Sequence, residues 1–145
     1  LVSSMIGLKH KIERLMKKKH SMDTKATPTN KDYGFGLWSV LLKDTDEMIG
    51  QCGITMQEYK TAQVPEIGYL LAHNIAKGYA VEAATACREY GFNTLKFDEL
   101  YSIIRDTNIA SQKVALRNGM NPIDSIVKHY RGVDMPHLVY CVRKG

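Results

Sequence analysis

The sequence predicts an α+β domain built on one mixed, mostly antiparallel sheet flanked by helices, and three observations carry that expectation. Two β-rich apolar stretches between residues 35 and 56 are separated by a short polar turn, as in an antiparallel hairpin. Next come a strand, an alanine-rich helix and another strand at the spacing of a β-α-β crossover, which pairs its two strands in parallel. Two more alternating stretches close the chain as a second hairpin.

The first element in order is an amphipathic helix over residues 5–19. Met5, Leu8, Ile12, Leu15 and Met16 form one stripe, with Lys9, Lys11, Arg14, Lys17, Lys18 and Lys19 largely around the rest. Such a basic exterior serves as a solvated face, as an anion-steering surface, or for docking on a membrane or nucleic acid. "SMDTKATPTNK" (21–31) is polar and turn-rich, hence a loop.

"FGLWSVLL" (35–42) is the first strand, "KDTDE" the turn, and "MIGQCGITM" (48–56) the second strand, where Met48, Cys52, Ile54 and Met56 alternate against Gln51 and Thr55. "EIGYLLA" (66–72) is the third, with Pro65 stiffening its entrance. Residues 79–92 form a helix whose inner face is Ala80, Ala83, Ala84, Cys87 and Gly91, small enough to pack closely on a sheet. "LYSIIR" (100–105) is the fourth strand. A short helix runs from about Ala110 to Asn118, with Asn108 as N-cap and Gly119 as its stop. "IDSIVKHY" and "HLVYCV", joined by "RGVDMP", are the closing hairpin.

A length of 145 residues with 44% hydrophobic and 24% charged content fits one domain over residues 1–145 with a buried core. No apolar run approaches the roughly 20 residues of a membrane helix, and the first residues lack the features of a signal peptide, so a cytoplasmic location is expected. Cys52, Cys87 and Cys141 are odd in number and far apart, which points to buried free thiols rather than disulfides or a metal site. The net charge of +5 favours an anionic ligand or partner without choosing among nucleic acid, a phosphorylated cofactor and an acidic protein.

Gly78 raises the first functional question. A strand that runs through a loop into a helix N-terminus presents unpaired N–H groups at the positive end of a helix dipole, and Gly78, lacking a Cβ, would let a phosphate approach beside Lys77. Neither GxGxxG nor GxxxxGK[ST] is present, so a plain helix start remains the other reading.

The order of these elements resembles the GNAT superfamily of acetyl-CoA-dependent N-acetyltransferases, most closely its RimJ/RimL-like branch, over about residues 34–142. The resemblance is carried by "EIGYLLA", by "KGYAVEA" after it, by Asn108-Ile109-Ala110-Ser111, and by "NGM" closing the following helix. It implies a sheet splayed at a central parallel strand pair. It also implies that residues 75–81 cradle the pyrophosphate of acetyl-CoA through backbone N–H groups, with Lys77, Gly78, Tyr79, Ala80 and Val81 as the binding residues. Backbone groups of Leu70, Leu71 and Ala72 would pair with the pantetheine arm. Ile75 stands where the family usually has Gln or Arg, and Ala76 where this branch often has Gly; both changes reshape the cradle without removing it. The chain begins too late to supply the strand and helix that open a typical member, so a truncated front end and an absent first strand are expected.

The same resemblance makes Glu66 the general base and Ser111 the hydrogen-bond donor to the departing thiolate, since the tyrosine that many members use as acid is replaced by Ala115. Glu66 as a solvent-capped strand-edge carboxylate, and Ser111 as a mere helix starter, are the structural alternatives. Asn108 orders the turn or contacts the cofactor. Asp124 and His129 are weaker base candidates, and Tyr130 is a wall on the acceptor side. Acceptor specificity is expected in loops around residues 21–34, 57–64 and 129–136. The expected activity is direct acetyl transfer to a primary amine of a peptide or small molecule in a ternary complex, without a metal, a membrane or nucleic acid, by a monomer or homodimer. A non-catalytic acyl-CoA-binding or sensor module is the alternative, and a basic nucleic-acid-binding domain, which no recognition motif supports, is a distant third.

Overall fold

Strand β1 (Leu37–Leu41) pairs antiparallel with β2 (Met48–Tyr59), as the alternating pattern requires. The computed structural model describes residues 36–41, 47–71 and 78–145. The expected helix over residues 5–19, the loop at 21–31 and nearly all of the "KDTDE" turn lie outside the described residues.

The β1–β2 register shifts between Val40 and Leu41: Val40 faces Gly50 while Leu41 faces Met48. The extra residue, Ile49, therefore takes the inward place and is buried, whereas Met48 is turned out and 55% exposed. The expected inward Met48 is corrected by this bulge. Further along, Cys52 and Ile54 are buried as the alternation predicts.

Strand β3 (Ala62–Leu71) starts earlier than the sequence suggested and runs antiparallel to β2 from Tyr59↔Ala62 to Gly50↔Leu71. The connection is the two-residue turn Lys60-Thr61, with Lys60 at φ 56°. Pro65 thus lies inside the strand, opposite Met56, and Glu66 sits in mid-strand rather than at an entrance. A proline is tolerated because β3 pairs with its other neighbour at a single position, so little of that edge needs N–H donors.

Helix α1 (Gly78–Asn93) packs Ala83, Ala84, Cys87, Tyr90 and Gly91 onto the sheet. Its small residues allow the close approach expected of them: a Cβ at Gly91 would stand 2.9 Å from Leu100 Cδ1 and 3.0 Å from Ile54 Cδ1. Trp38 and Tyr90 meet edge to face with centroids 5.1 Å apart. Cys52 and Cys87, distant in sequence, bring their sulfurs to 3.4 Å in the core, where the contact and burial push the Cys87 thiol well up. All three cysteines are buried and free.

The crossover through α1 leads into β4 (Glu99–Arg105), parallel to β3 as predicted. Helix α2 (Ile109–Arg117) follows, capped by Asn108 and ended at Asn118 and Gly119, the latter at φ 82°. Strands β5 (Asn121–Tyr130) and β6 (Val133–Arg143) form the closing hairpin, and the sheet order is β1-β2-β3-β4-β6-β5. The joining segment is only Arg131-Gly132; Val133 to Pro136 of the expected loop belong to β6. Of the three loops expected to set acceptor specificity, the two among the described residues are therefore tips of β-hairpins.

Strand pairing sorts the side chains onto two faces. Cys52, Ile54, Ile67, Leu100, Ile104 and Tyr140 lie on the face covered by α1 and α2. Thr55, Glu66, Tyr101, Ile103, Val139, Asp124 and Lys128 share the opposite face.

Candidate active site

The site begins where β3 and β4 part. They pair at Glu66↔Tyr101 and nowhere else. Beyond that point side chains replace the missing ladder: Ser102 Oγ donates to the Ile67 carbonyl at 2.8 Å, and the Ile103 N–H donates to Glu66 Oε2 at 2.6 Å. Buried backbone groups must find partners, and satisfying them with side chains lets two adjacent parallel strands stand apart without orphaned polar atoms.

The gap opens into a cleft of about 160 Å³ whose lining includes Glu66, Gly68, Tyr69, Ile103, Asn108 and Ser111. The N-terminus of α2 forms one wall. Asn108 Oδ1 accepts the Ser111 N–H at 3.1 Å, the capping bond expected of it. Tyr69 Oη donates to the Ser111 carbonyl at 2.7 Å and so ties the first turn of α2 to β3. Burial pushes the Tyr69 phenol up to about 12. It is a fixed hydrogen-bond donor at neutral pH.

Burial likewise raises the Glu66 carboxyl above the ordinary carboxylate range, opposed by the Ile103 N–H and by the charge of Lys128. Glu66 is therefore not the solvent-capped strand-edge group that its position suggested. It is a desolvated acid whose Oε2 is held by the backbone of the neighbouring strand.

The remaining expected residues fall in four places. Leu70, 77% exposed, and Leu71 end β3 beyond the splay. Ala72, Ile75, Ala76 and Lys77 lie outside the described residues. Gly78, Tyr79, Ala80 and Val81 make the first turn of α1, and a Cβ at Gly78 would meet nothing within 4 Å. Packing among the described residues therefore does not require glycine there.

Asp124, His129 and Tyr130 are not among the residues lining the cleft. Asp124 accepts the Tyr59 hydroxyl at 2.6 Å and the Ser125 N–H at 2.8 Å, with Lys60 Nζ 3.8 Å away. The Tyr59 bond first, then the Ser125 N–H and Lys60, hold its carboxyl below the usual range. It serves as a fastening: Tyr59, its ring 5.8 Å from that of Tyr101, ties the tip of the β2–β3 hairpin to strand β5. His129 is exposed and pairs with Asp134 at the tip of the other hairpin. Tyr130, 57% exposed, lies under Arg131 at 5.2 Å.

Sequence reasoning missed Tyr69, Ser102, Tyr59 and Lys128. Tyr69 lies inside "EIGYLLA" and Ser102 inside "LYSIIR", where each reads as one more alternating strand residue. Among the described residues no group of three or more His, Cys, Asp or Glu side chains is placed to hold a metal ion.

A mixed sheet whose central parallel pair is splayed beside a capped helix defines the GNAT fold class. The family profile of the acetyltransferase (GNAT) domain matches residues 9–121, and the chain belongs to that family. YkkB of Bacillus subtilis (strain 168), named as an uncharacterized protein, is 43% identical over 99 residues, which are 68% of this chain and 58% of YkkB. This chain thus spans under two thirds of that relative. The crystal structure of an acetyltransferase from Agrobacterium tumefaciens str. C58 is 32% identical, covering 80% of this chain and 65% of the other, with a TM-score of 0.64. A ribosomal-protein-S5-alanine acetyltransferase from Vibrio fischeri shares the fold at 17% identity, with a TM-score of 0.64 over 95% of this chain and 71% of the other. At that identity the likeness is one of fold alone.

Proposed function

We propose that the protein is an N-acetyltransferase that moves an acetyl group from acetyl-CoA to a primary amine by direct attack in a ternary complex. One observation carries the reading: Glu66 and Ser111 line the same cleft at the point where β3 and β4 separate. The residues present fit the co-substrate. The end of β3 offers backbone edges that β4 does not pair, and the first turn of α1 begins at a glycine beside which no other described residue stands within 4 Å of a Cβ.

Acetyl-CoA supplies an activated thioester when bound. Glu66 takes the proton that the acceptor ammonium must lose, and its raised pKa improves the match between acid and base. An α-amine with a pKa near 8 loses that proton at a cost of ~1.4 kcal/mol at pH 7, whereas a lysine amine costs ~4.6 kcal/mol. Ser111 donates a hydrogen bond where thiolate charge develops, and Asn108 and Tyr69 hold its turn in place. A cytoplasmic location goes with the use of acetyl-CoA.

The test is calorimetric titration with CoA together with mass spectrometry of an amine panel incubated with acetyl-CoA. Binding of CoA and acetylation of at least one amine are expected. Binding with no transfer to any amine would leave the protein an acyl-CoA-binding module and overturn the catalytic reading.

A further inference from the structure

The sheet order leaves β5 at one end, so the N–H and C=O groups on its outer side pair with no strand among the described residues. The two ends of the sheet are unlike. β1, at the other end, has five residues, whereas β5 has ten, and its proline and its bulge both lie at its start, by Pro122. From Asp124 to Tyr130 the edge is regular, and Val127, Tyr130 and, on the facing strand, Val133 are each at least half exposed. A long regular edge with apolar side chains is a template for a further strand.

The side chains of β5 fit one occupant, a second copy of the same strand. A twofold axis perpendicular to the sheet keeps each face on its own side, so residues that meet across it must share a face. With the axis at Ile126, Ile126 meets its own copy, Ser125 meets Val127, and Asp124 meets Lys128 twice. Asp124 and Lys128 are both half-buried on the face that carries Glu66. Among the described residues no carboxylate lies within ion-pair distance of Lys128, and Asp124 keeps 32% of its side chain exposed beside Tyr59 and Lys60. An axis at Ser125 or Val127 sets one of the two charges against Ile126 of the copy, and an axis at Asp124 or Lys128 sets like charges together. The charges therefore select one register among those that the faces permit.

We propose that the protein is a twofold dimer in which β5 pairs antiparallel with β5 of a second copy, centred on Ile126. The two six-stranded sheets continue as one, with α1 and α2 of both copies on one side and both Glu66 faces on the other. A lysine on an edge strand ordinarily discourages strand addition; Lys128 admits the strand that brings an aspartate opposite it.

The experiment is sedimentation equilibrium of the protein from about 1 to 100 µM, where a dimer is expected. Lys128→Glu turns both symmetry-related pairs repulsive and should raise the dimer dissociation constant about 10–100-fold, and Ile126→Lys, which sets like charges on the axis, should do the same. Circular dichroism checks that both variants are folded. Cross-linking reads the register without charge changes: a short-armed bis-maleimide, each end adding one thiol across its double bond, should join Ile126→Cys into a covalent dimer. Tyr130→Cys, about 27 Å from its own copy in this register, should stay uncoupled. The three native thiols are buried. A monomer throughout the range, its edge left to another segment or a different partner, would overturn the proposal. So would a dimer indifferent to folded Lys128→Glu and Ile126→Lys, assembly beyond the dimer, or coupling through Tyr130→Cys in place of Ile126→Cys. If both charge variants fail to fold, the cross-linking pair decides alone, and every outcome leaves the acetyltransferase reading standing.

Discussion

Replacing Glu66 in turn by glutamine and by alanine separates its two roles, because the carboxylate both satisfies a backbone donor and sits where a base is needed. Oε2 accepts the Ile103 N–H at 2.6 Å across the splay. Glutamine keeps an acceptor oxygen for that N–H, exchanging a charge-assisted bond worth about 1.5–3 kcal/mol for a neutral one of about 0.5–1.5 kcal/mol, while removing the cost of desolvating a charge. These changes oppose each other, so the melting temperature of Glu66→Gln should stay within a few degrees of wild type at pH 7. Alanine leaves the N–H without its partner and should cost about 1–3 kcal/mol, or roughly 3–10 °C for a chain of this size.

Activity should follow another order: both variants lose the proton acceptor, and acetyl transfer should fall about 10²–10⁴-fold in each with CoA affinity nearly intact. Differential scanning calorimetry and a thiol-release assay measure the two quantities. Wild-type turnover in Glu66→Gln would remove Glu66 from the mechanism, and wild-type stability in Glu66→Ala would refute the bridging role.

Four further outcomes follow from particular contacts. Because burial raises the Glu66 pKa, the acid limb of the kcat/KM profile should fall above the ordinary carboxylate range, and Lys128→Gln should move it higher still, as pH titration of the rate would reveal. Gly78→Leu should weaken CoA binding about 10–100-fold by calorimetry without lowering the melting temperature, since a Cβ there meets nothing within 4 Å among the described residues; unchanged affinity would sink the phosphate-cradle reading. Gly91→Ala should destabilise by about 1–3 kcal/mol in a urea titration, because its Cβ would press on the buried side chains of Leu100 and Ile54. The Asp124 carboxyl is held low, so its contribution is present above the unfolded-state pKa and lost as pH falls through the folded one; Tyr59→Phe should flatten the acid-side fall in stability measured by denaturation below about pH 4.

Local pattern by itself determined much of this protein. Alternation and turn residues identified every described strand, the spacing around the alanine-rich helix required a parallel pair, and Asn108 and Gly119 bounded α2 as their chemistry demands. Glu66 and Ser111 were singled out by the resemblance to the GNAT family rather than by local pattern. Only the tertiary structure decided what those residues touch. The Ile49 bulge reversed Met48, since one extra residue exchanges the faces of a strand. Sheet register gave Glu66 the Ile103 N–H, Asp124 the Tyr59 hydroxyl and Cys52 the Cys87 sulfur. Periodicity tells which face a side chain takes, but the partners on that face come from strands far away in the chain, whose register no local pattern carries.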